Sequence, residues 1–252
     1  MKILEVLFTP ADFAALKNHN LDETLCVVFD VFRATSSMVT ALANGAEAII
    51  PASEIPEALA IKERAPAVLL AGERNGVRIR AALAGGTDFD LGNSPREFAK
   101  EKIAGKTIVM STTNGTRALR SCAHAKTVLV GSFLNLQVTA DFVLRASPEN
   151  VLLICSGTYE QAAYEDALGV GALCDLLWNA AEKTGISDSA KMARDLYSMA
   201  KHDLLGAAAQ SRNGLRLSSI PELREDVPFC VRRDIFHFAA VLNKQGEVKR
   251  AN

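Results

Sequence analysis

Short runs of β-branched and other apolar residues alternate with helical patterns along residues 1–186. Such runs are strand candidates, and they cover residues 3–8, 24–29, 48–51, 68–71, 107–110, 128–130 and 151–155. Near-continuous apolar strands separated by helices are typical of a mostly parallel sheet with both faces covered. The pattern therefore predicts an α/β fold, with a mostly parallel or mixed sheet layered with helices.

Two segments of the chain repeat the same order of elements. Residues 26–53 and 106–133 each run strand, polar loop, Ala-rich helix and strand, and residues 151–173 open in the same way. Each loop is rich in Ser, Thr, Gly and Asn, and in parallel sheets such loops lie at the carboxyl ends of strands, where ligands bind. We expect the three loops to converge on one anionic group. The alternative is that their hydroxyls only cap helices.

Charge and cysteine content narrow the class of protein. The 252 residues include 28 basic and 29 acidic side chains, so the net charge is −1, without the basic excess of a nucleic-acid or acidic-membrane binder. The five cysteines are scattered and form no Cys-x-x-Cys pair, which favours reduced thiols. Residues 1–20 do not resemble a signal peptide, and no apolar run approaches about 18 residues. We predict a cytoplasmic protein that binds neither nucleic acid nor membranes.

The loop that follows the second strand run combines a carboxylate, a guanidinium and hydroxyls. Asp30 stands at the strand end, Arg33 follows three residues later, and Thr35 and Ser36 lie at a helix start. A carboxylate there is a suitable hard ligand for Mg²⁺, and Arg can hold phosphate or carboxylate oxygens with two parallel hydrogen bonds. The alternative is an Asp–Arg ion pair that only fixes the loop.

Signatures of several other enzyme classes are broken. An aspartyl-phosphate phosphatase needs a second Asp two positions after the first, and that position after Asp30 is Phe32. No cysteine is followed at the required spacing by the Arg of a cysteine-dependent phosphatase. The glycines of a P-loop or a dinucleotide fingerprint and the histidine spacing of a zinc site are missing as well.

Three more segments have the composition of a binding site. The segment 72–76 places Glu73 and Arg74 at a strand end between glycines, and residues 91–95 leave Asn93 and Ser94 before a helix that can start at a proline. Glu165 and Asp166 are adjacent carboxylates, one of which can complete an Mg²⁺ shell with Asp30. The alternative for this pair is a favourable position in the first turn of a helix.

Taken together, these motifs resemble the 2-phosphosulfolactate phosphatase family. The resemblance covers most of the chain, and it rests on the ordered motifs DVFRATSS at 30–37, GERNG at 72–76, GNSP at 92–95, TTNGT at 112–116, GSFLN at 131–135, CSGT at 155–158, YEDALGVGAL at 164–173, SRNG at 211–214 and EDVPFC at 225–230. Each motif alone is weak, but their number and order make coincidence improbable.

The resemblance implies an Mg²⁺-dependent phosphatase that converts (R)-2-phospho-3-sulfolactate to 3-sulfolactate, a step on the route to coenzyme M. It also implies a fold particular to the family, with the site between two similar subdomains. We place these at approximately 1–100 and 101–186 of a single unit, 1–252, with a helical C-terminal part, 187–252, packed on the sheet. The expected partner is a small anionic phosphorylated substrate.

The resemblance and the local patterns together suggest the candidate site residues, and their individual roles are our inference. The metal ligands are Asp30, Glu165 and Asp166. The catalytic residues are Asp30, Arg33, Glu73, Arg74, Glu165 and Asp166, among which Arg33 and Arg74 look like anion clamps. The substrate-binding residues are Thr35, Ser36, Asn93, Ser94, Thr113, Asn114, Gly115, Thr116, Cys155, Ser156 and Gly157.

Our mechanistic hypothesis is direct attack by a water that Mg²⁺ or a carboxylate activates, while a phosphoenzyme on Asp30 or Cys155 stays open. Two other functions also stay open: a phosphatase for another 2-phospho-hydroxy acid, and a binding protein for a small polyanion without catalysis. The apolar segment 235–242 serves either a homodimer interface or the core, and the core is the better expectation.

Overall fold

The computed structural model describes residues 1–251 of the chain. Within them, ten strands form one mixed sheet. The strands are β1 (Ile3–Leu7), β2 (Thr24–Phe29), β3 (Ala48–Pro51), β4 (Leu69–Arg74), β5 (Val77–Arg78), β6 (Thr107–Ser111), β7 (Thr127–Gly131), β8 (Asn150–Cys155), β9 (Ala240–Leu242) and β10 (Val248–Arg250). All seven predicted runs are strands, so the predicted α/β class is confirmed.

Helices connect and cover these strands. They are α1 (Pro10–Ala14), α2 (Ala34–Ala43), α3 (Ile55–Arg64), α4 (Lys100–Ile103), α5 (Gly115–Ser121), α6 (Leu136–Ala146), α7 (Tyr164–Leu177), α8 (Asp188–Ala200), α9 (Leu204–Ala209), α10 (Arg212–Ser219) and α11 (Asp226–Cys230). Short 3₁₀ turns occupy Ala15–Asn18, Pro95–Glu97, Phe133–Asn135, Trp178–Ala180, Lys183–Gly185 and Lys201–Asp203. Within residues 1–251, no helix has both the length and the apolar character that a membrane crossing needs.

The sheet consists of two parallel blocks joined by a hairpin. The first block has the order β1-β8-β2-β7, the second has β3-β6-β4, and the antiparallel strands β9 and β10 lie between β7 and β3. Strand β5 pairs with β4 at the outer edge. Both repeats cross between the blocks, one from β2 to β3 and the other from β6 to β7, so the strands do not group on either side of residue 100.

Strand β2 shows why the sheet is buried on both faces. All six of its residues are buried. Leu25, Val27 and Phe29 belong to one apolar cluster, whereas Cys26 and Val28 belong to a second cluster on the opposite face. Because successive side chains of a strand point to opposite faces, an uninterrupted apolar run is what a central strand with two covered faces requires.

The C-terminal part begins as helices and ends in the sheet. The side chain of Ser187 accepts a hydrogen bond from the amide of Ala190 and starts α8, and the candidate helix over 190–209 is divided into α8 and α9 by a 3₁₀ turn. Strands β9 and β10 were not predicted, because each has only three residues. Segment 235–242 packs into the core of this chain, and a homodimer stays a prediction.

Candidate active site

A polar basin lies where loops from both strand blocks meet. The loops after β2, β6 and β8 all reach it, so the predicted convergence of three loops is present in the structure. The turn after β4, the start of α7 and helix α10 complete its wall. The lining residues are Asp30, Phe32, Arg33, Glu73, Asn75, Gly76, Asn93, Thr113, Asn114, Gly157, Thr158, Tyr159, Glu165, Asp166, Asn213, Arg216 and Leu217.

Asp30 is a nearly buried carboxylate at the end of β2. Its Oδ1 accepts a hydrogen bond from the amide of Ala34, 2.9 Å away, at the first turn of α2. Burial raises the pKa of Asp30 to about 6, and the negative charges of Glu73 and Glu165 act in the same direction. A Cβ at Gly115 would lie only 2.5 Å from Oδ2 of Asp30, so glycine lets α5 start beside this carboxylate.

Asp166 ties two of the loops together. Its Oδ1 accepts from the amide of Val31 at 2.8 Å, and its Oδ2 accepts from the amide of Gly157 and the hydroxyl of Ser156, both at 3.1 Å. Burial raises the pKa of Asp166 well above its usual range, and the neighbouring charges of Glu165 and Asp30 raise it further. Most of its acceptor capacity is already used to hold the loops.

Glu165 keeps more of its acceptor capacity. Its Oε1 accepts a hydrogen bond of 2.5 Å from the side-chain amide of Asn213, which also donates to the hydroxyl of Thr158 at 2.6 Å. Burial raises the pKa of Glu165, while the hydrogen bond from Asn213 lowers it in part. Helix α10 therefore orients a carboxylate that helix α7 supplies.

Glu73 joins the turn after β4 to the loop after β6. Its Oε2 accepts from the amide of Gly76 at 2.6 Å, and its Oε1 accepts from both the amide and the hydroxyl of Thr113 at 2.8 Å. Because both oxygens are engaged, this carboxylate shapes the basin and offers little free acceptor capacity.

Arg33 lies in the basin wall with a partner that sequence reasoning missed. Its Nη1 donates to Oδ2 of Asp226 at 2.8 Å, and both side chains are almost fully buried. Asp226 also accepts a hydrogen bond from the hydroxyl of Ser94 at 2.6 Å, and its Oδ1 forms an ion pair with Nε of Arg96 at 3.3 Å. The ion-pair alternative for Arg33 is present, but its partner is Asp226 and not Asp30.

Arg74 does not line the basin. Its guanidinium donates to the backbone oxygens of Glu73 and Ser111 and to the hydroxyl of Ser111, at 2.7, 3.2 and 3.0 Å. Since Glu73 and Arg74 are consecutive residues of β4, their side chains point to opposite faces of the sheet. The structure therefore gives no geometric support for Arg74 as an anion clamp.

Several predicted substrate-binding residues lie behind the basin wall, where protein groups occupy their hydrogen-bonding atoms. Thr35 bonds to the backbone of Asp30, Ser36 to Val31 and Ser132, and Thr116 to Thr112. Those outside the lining are Thr35, Ser36, Ser94, Gly115, Thr116, Cys155 and Ser156. They support the loops, and substrate contact at these positions remains a prediction.

Cys155 has the surroundings of a core residue. It is the last residue of β8 and is fully buried in an apolar cluster. Burial raises the pKa of its thiol well above the usual range. A thiol that resists ionisation is a poor nucleophile. The phosphoenzyme hypothesis through Cys155 therefore loses its chemical basis.

The remaining predicted residues do face the basin. Asn93, Thr113, Asn114 and Gly157 are in its lining, and Asn114 Nδ2 donates to the backbone oxygen of Tyr159 at 3.0 Å. Gly157 has φ of +72°, and a Cβ there would lie 2.5 Å from the oxygen of Gln161, so only glycine fits this tight turn.

Sequence reasoning assigned no role to part of the lining. These residues are Phe32, Asn75, Gly76, Thr158, Tyr159, Asn213, Arg216 and Leu217. Five of them lie inside motifs that carry the family resemblance, and that position is the signal that could have identified them: Phe32, Asn75, Gly76, Thr158 and Asn213. Arg216 and Leu217 lie on helix α10, most of whose residues are not buried, and the local sequence there contains no binding motif.

The chemistry of the carboxylates fits a hard cation. Across residues 1–251, no three His, Cys, Asp or Glu side chains form a ready-made ligand cage. Mg²⁺ commonly takes one or two carboxylates and fills its shell with waters and substrate phosphate, so it does not need such a cage. Asp30 and Glu165 keep free acceptor capacity, and their raised pKa values show the unfavourable negative charge that a cation would relieve.

Comparisons with known proteins match nearly the whole chain. A family model described as 2-phosphosulpholactate phosphatase matches residues 12–245. A protein of Caldicellulosiruptor saccharolyticus named "Probable 2-phosphosulfolactate phosphatase" is 34% identical over 232 residues, which cover 90% of this chain and 93% of that protein.

Two other proteins with the same name are similar to this chain over a comparable length. The one from Thermotoga petrophila is 39% identical over 210 residues, 83% of this chain and 85% of that protein. The one from Pseudothermotoga lettingae is 32% identical over 250 residues, 99% of this chain and 100% of that protein. The similarity therefore includes the strands, the basin loops and helix α10.

Proposed function

The chain belongs to the 2-phosphosulfolactate phosphatase family, and we propose that its basin hydrolyses (R)-2-phospho-3-sulfolactate to 3-sulfolactate and inorganic phosphate, with Mg²⁺ as the cofactor. The observation that carries the proposal is the position of four carboxylates, Asp30, Glu73, Glu165 and Asp166, in one basin. Carboxylates repel a polyanionic substrate unless a cation lies between them. A phosphatase that uses a divalent cation accounts for this combination.

Asp30 and Glu165 are the residues that would hold the cation, with Asp166 as the third carboxylate beside them. When bound, Mg²⁺ neutralises charge on the transferring phosphoryl group and makes water a better nucleophile at neutral pH. Asp166 contributes by fixing the amides of Val31 and Gly157, which keeps the loops after β2 and β8 in place. The carboxylates thus have different tasks, set by how many of their oxygens remain free.

The protein groups around the carboxylates orient the phosphate ester. Thr113 and Asn114 face the basin from the loop after β6, and Thr158 faces it from the loop after β8. Glu165 accepts a hydrogen bond from Asn213 through Oε1, which leaves its second carboxylate oxygen free for the cation. Direct hydrolysis needs no covalent intermediate, although a phosphoenzyme on Asp30 remains an alternative that burst kinetics would reveal.

The test is phosphate release from metal-stripped protein, with and without added Mg²⁺. The substrates are phosphosulfolactate and phospholactate, which lacks the sulfonate. Turnover that depends on Mg²⁺ and prefers the sulfonate supports the proposal. Turnover of phospholactate alone supports a phosphatase but rejects phosphosulfolactate as its substrate. Turnover without added metal rejects Mg²⁺ as the cofactor. Tight binding without release from either compound identifies a polyanion-binding protein.

Adding Mg²⁺ is also expected to stabilise the folded protein. A ligand that binds only the folded state at about 100 times its Kd raises the free energy of unfolding by about 2.7 kcal/mol. A thermal scan of the stripped protein with increasing Mg²⁺ should therefore show a rising Tm. An unchanged Tm up to millimolar Mg²⁺ contradicts a cation site in the basin.

Gly115→Ala is expected to reduce turnover while the protein still folds. The added methyl group would lie 2.5 Å from Oδ2 of Asp30 and 2.6 Å from Cβ of Ala34, so the carboxylate must move. Misplacing a catalytic group by about 1 Å costs on the order of 100-fold in rate. The control is Gly85→Ala, which lies outside the basin and meets no atom within 4 Å at the added methyl. Its φ of +57° makes alanine lower the stability, but Asp30 stays in place and turnover should be retained. Equal activity of the two variants contradicts the placement of Asp30.

We also infer a cytoplasmic location. All five cysteines are free and buried, as expected for a protein of a reducing compartment.

A further inference from the structure

The basin has two walls of opposite character. Asp30, Glu165 and Asp166 form what we call the acidic wall. Arg33, Arg216 and Asn93 line the same basin, and both arginines donate to the turn Asn75–Gly76, whose Gly76 amide donates to Glu73. We propose that Arg216 and Asn93, with Arg33 behind them, form the subsite that binds the sulfonate of the substrate and so set its specificity. This inference rests on the proposed function and assigns one of its substrate groups to named residues.

Arg216 forms no ion pair with a carboxylate among residues 1–251, and its guanidinium donates to neutral groups. Its Nη2 donates to the backbone oxygen of Asn75, and its Nη1 lies 3.4 Å from the hydroxyl of Tyr159. Both partners are neutral, so the guanidinium is held in place while its charge stays available. A fixed, uncompensated Arg beside a basin is a suitable anion receptor.

Arg33 donates to the same turn, but its charge is paired with a carboxylate. Its Nη2 donates to the backbone oxygen of Gly76, the residue next to the anchor of Arg216, at 2.5 Å. Its charge is balanced by the ion pair with Asp226. Arg33 therefore contributes hydrogen-bond donors and a rigid support, whereas Arg216 contributes the free charge.

Asn93 adds an independent sign of a ligand. Its side chain is 96% buried in the wall, and its Oδ1 has no hydrogen-bond partner within the described chain. Buried polar atoms without a partner are rare and costly, and at a basin they indicate that a ligand or water supplies the missing bond. The side-chain amide of Asn93 can be rotated so that Nδ2 takes this position, and Nδ2 then donates to a sulfonate oxygen of a molecule bound beside Arg216.

The chemistry of the substrate decides which anion belongs here. The phosphate must lie at the acidic wall, since the cation acts on the bond that breaks. A sulfonate is the anion of a strong acid, weakly basic and a poor competitor for Mg²⁺ beside carboxylate and phosphate oxygens. Its charge is permanent and its oxygens accept hydrogen bonds, which matches a guanidinium that stays ionised at every working pH.

The first experiment compares phosphosulfolactate and phospholactate as substrates of Arg216→Gln. We expect kcat/KM for phosphosulfolactate to fall about 100-fold, the size of losing a hydrogen bond between charged groups. For phospholactate the loss should be about threefold or less, because no sulfonate contacts this wall. Arg216→Lys, which keeps the charge but not the planar fork, should recover part of the loss. Asn93→Ala should shift the selectivity in the same direction.

Arg224→Gln is the matched control. Arg224 is exposed, belongs to the same C-terminal segment and does not line the basin, so this variant removes one positive charge without touching the subsite. Its selectivity should equal that of the wild type. If Arg216→Gln lowers kcat/KM equally for both substrates, Arg216 binds a group common to both, and the sulfonate assignment is overturned.

A second readout does not depend on turnover. Calorimetric titration with 3-sulfolactate and with lactate, in the presence of Mg²⁺, measures the sulfonate contribution directly. The wild type should bind 3-sulfolactate at least about tenfold more tightly than lactate, and Arg216→Gln should lose this difference. Retention of the difference rejects the subsite. A wild type that shows the difference but releases no phosphate from either substrate rejects the proposed function and leaves the subsite supported.

Discussion

Asp30→Asn is expected to slow phosphate release about 10³-fold while leaving the protein folded. Asparagine keeps an oxygen that can accept from the amide of Ala34, so the start of α2 is retained. It removes the negative charge that would hold the cation beside the phosphate. Losing several kcal/mol of electrostatic stabilisation corresponds to a decrease in kcat of about 10³-fold. Initial rates of phosphate release at saturating substrate and Mg²⁺ measure this effect.

The same variant should be more stable than the wild type when no metal is present. The pKa of Asp30 is raised to about 6 in the folded protein, so the folded state holds a proton that the unfolded state releases near pH 4. The resulting penalty is absent in acid, grows between about pH 4 and pH 6, and stays constant above that range. Asp30→Asn removes the penalty and should gain up to about 3 kcal/mol at pH 8, with the advantage vanishing toward pH 4.

Urea unfolding of the stripped proteins at several pH values measures this difference, and adding Mg²⁺ should reverse it in favour of the wild type. Asp22→Asn, an exposed carboxylate outside the basin, serves as the control and should change neither activity nor stability. A stripped Asp30→Asn protein that is less stable than the wild type at pH 8 would show that the carboxylate is favourably placed without a cation.

Asp226→Ala is expected to cause the largest loss of stability. Asp226 is fully buried, accepts hydrogen bonds from Arg33 and Ser94, and forms an ion pair with Arg96. Removing one partner of a buried ion pair leaves the other charge without compensation, at a cost of about 3–5 kcal/mol. The urea midpoint should fall accordingly, and activity should fall as well because Arg33 is no longer fixed in the basin wall.

The double variant Arg33→Met with Asp226→Leu separates charge from packing. If the uncompensated guanidinium causes the loss, replacing both partners by apolar side chains recovers much of the stability although activity stays low. Glu149→Gln, which breaks an exposed pair with Lys2, should leave the urea midpoint unchanged. A midpoint for Asp226→Ala that equals the wild type contradicts the importance of this buried pair.

Much of the fold could be predicted from the sequence because its strands are buried on both faces. An uninterrupted run such as Thr24–Phe29 has a strong signal, and its predicted bounds equal those of β2. The hairpin of β9 and β10 gives no such signal. These strands are short, and their place between β7 and β3 follows from pairing across almost 200 residues of sequence. No local pattern can specify a pairing of that kind.

The site divides in the same way. Residues at strand ends, such as Asp30 and Gly157, could be found locally, since the chemistry of the loop and the end of the strand coincide in sequence. The partner of Arg33 and the anchor of Arg216 come from elements far along the chain, and only the fold brings them to the basin. The alternation of side chains in β4 does predict that Glu73 and Arg74 face opposite ways, so assigning both to the site was inconsistent with a strand there.

The central hairpin also determines when the protein can fold. Ribosomes synthesise the chain from its N-terminus, so β9 and β10 emerge after the other eight strands, yet they lie in the middle of the sheet. Until they arrive, β7 and β3 have open edges that can pair with other chains. Folding dominated by such distant pairings is slow and exposes intermediates to aggregation. The nascent protein therefore depends on the synthesis of β9 and β10, and on protection of those edges until then, before its sheet can be completed.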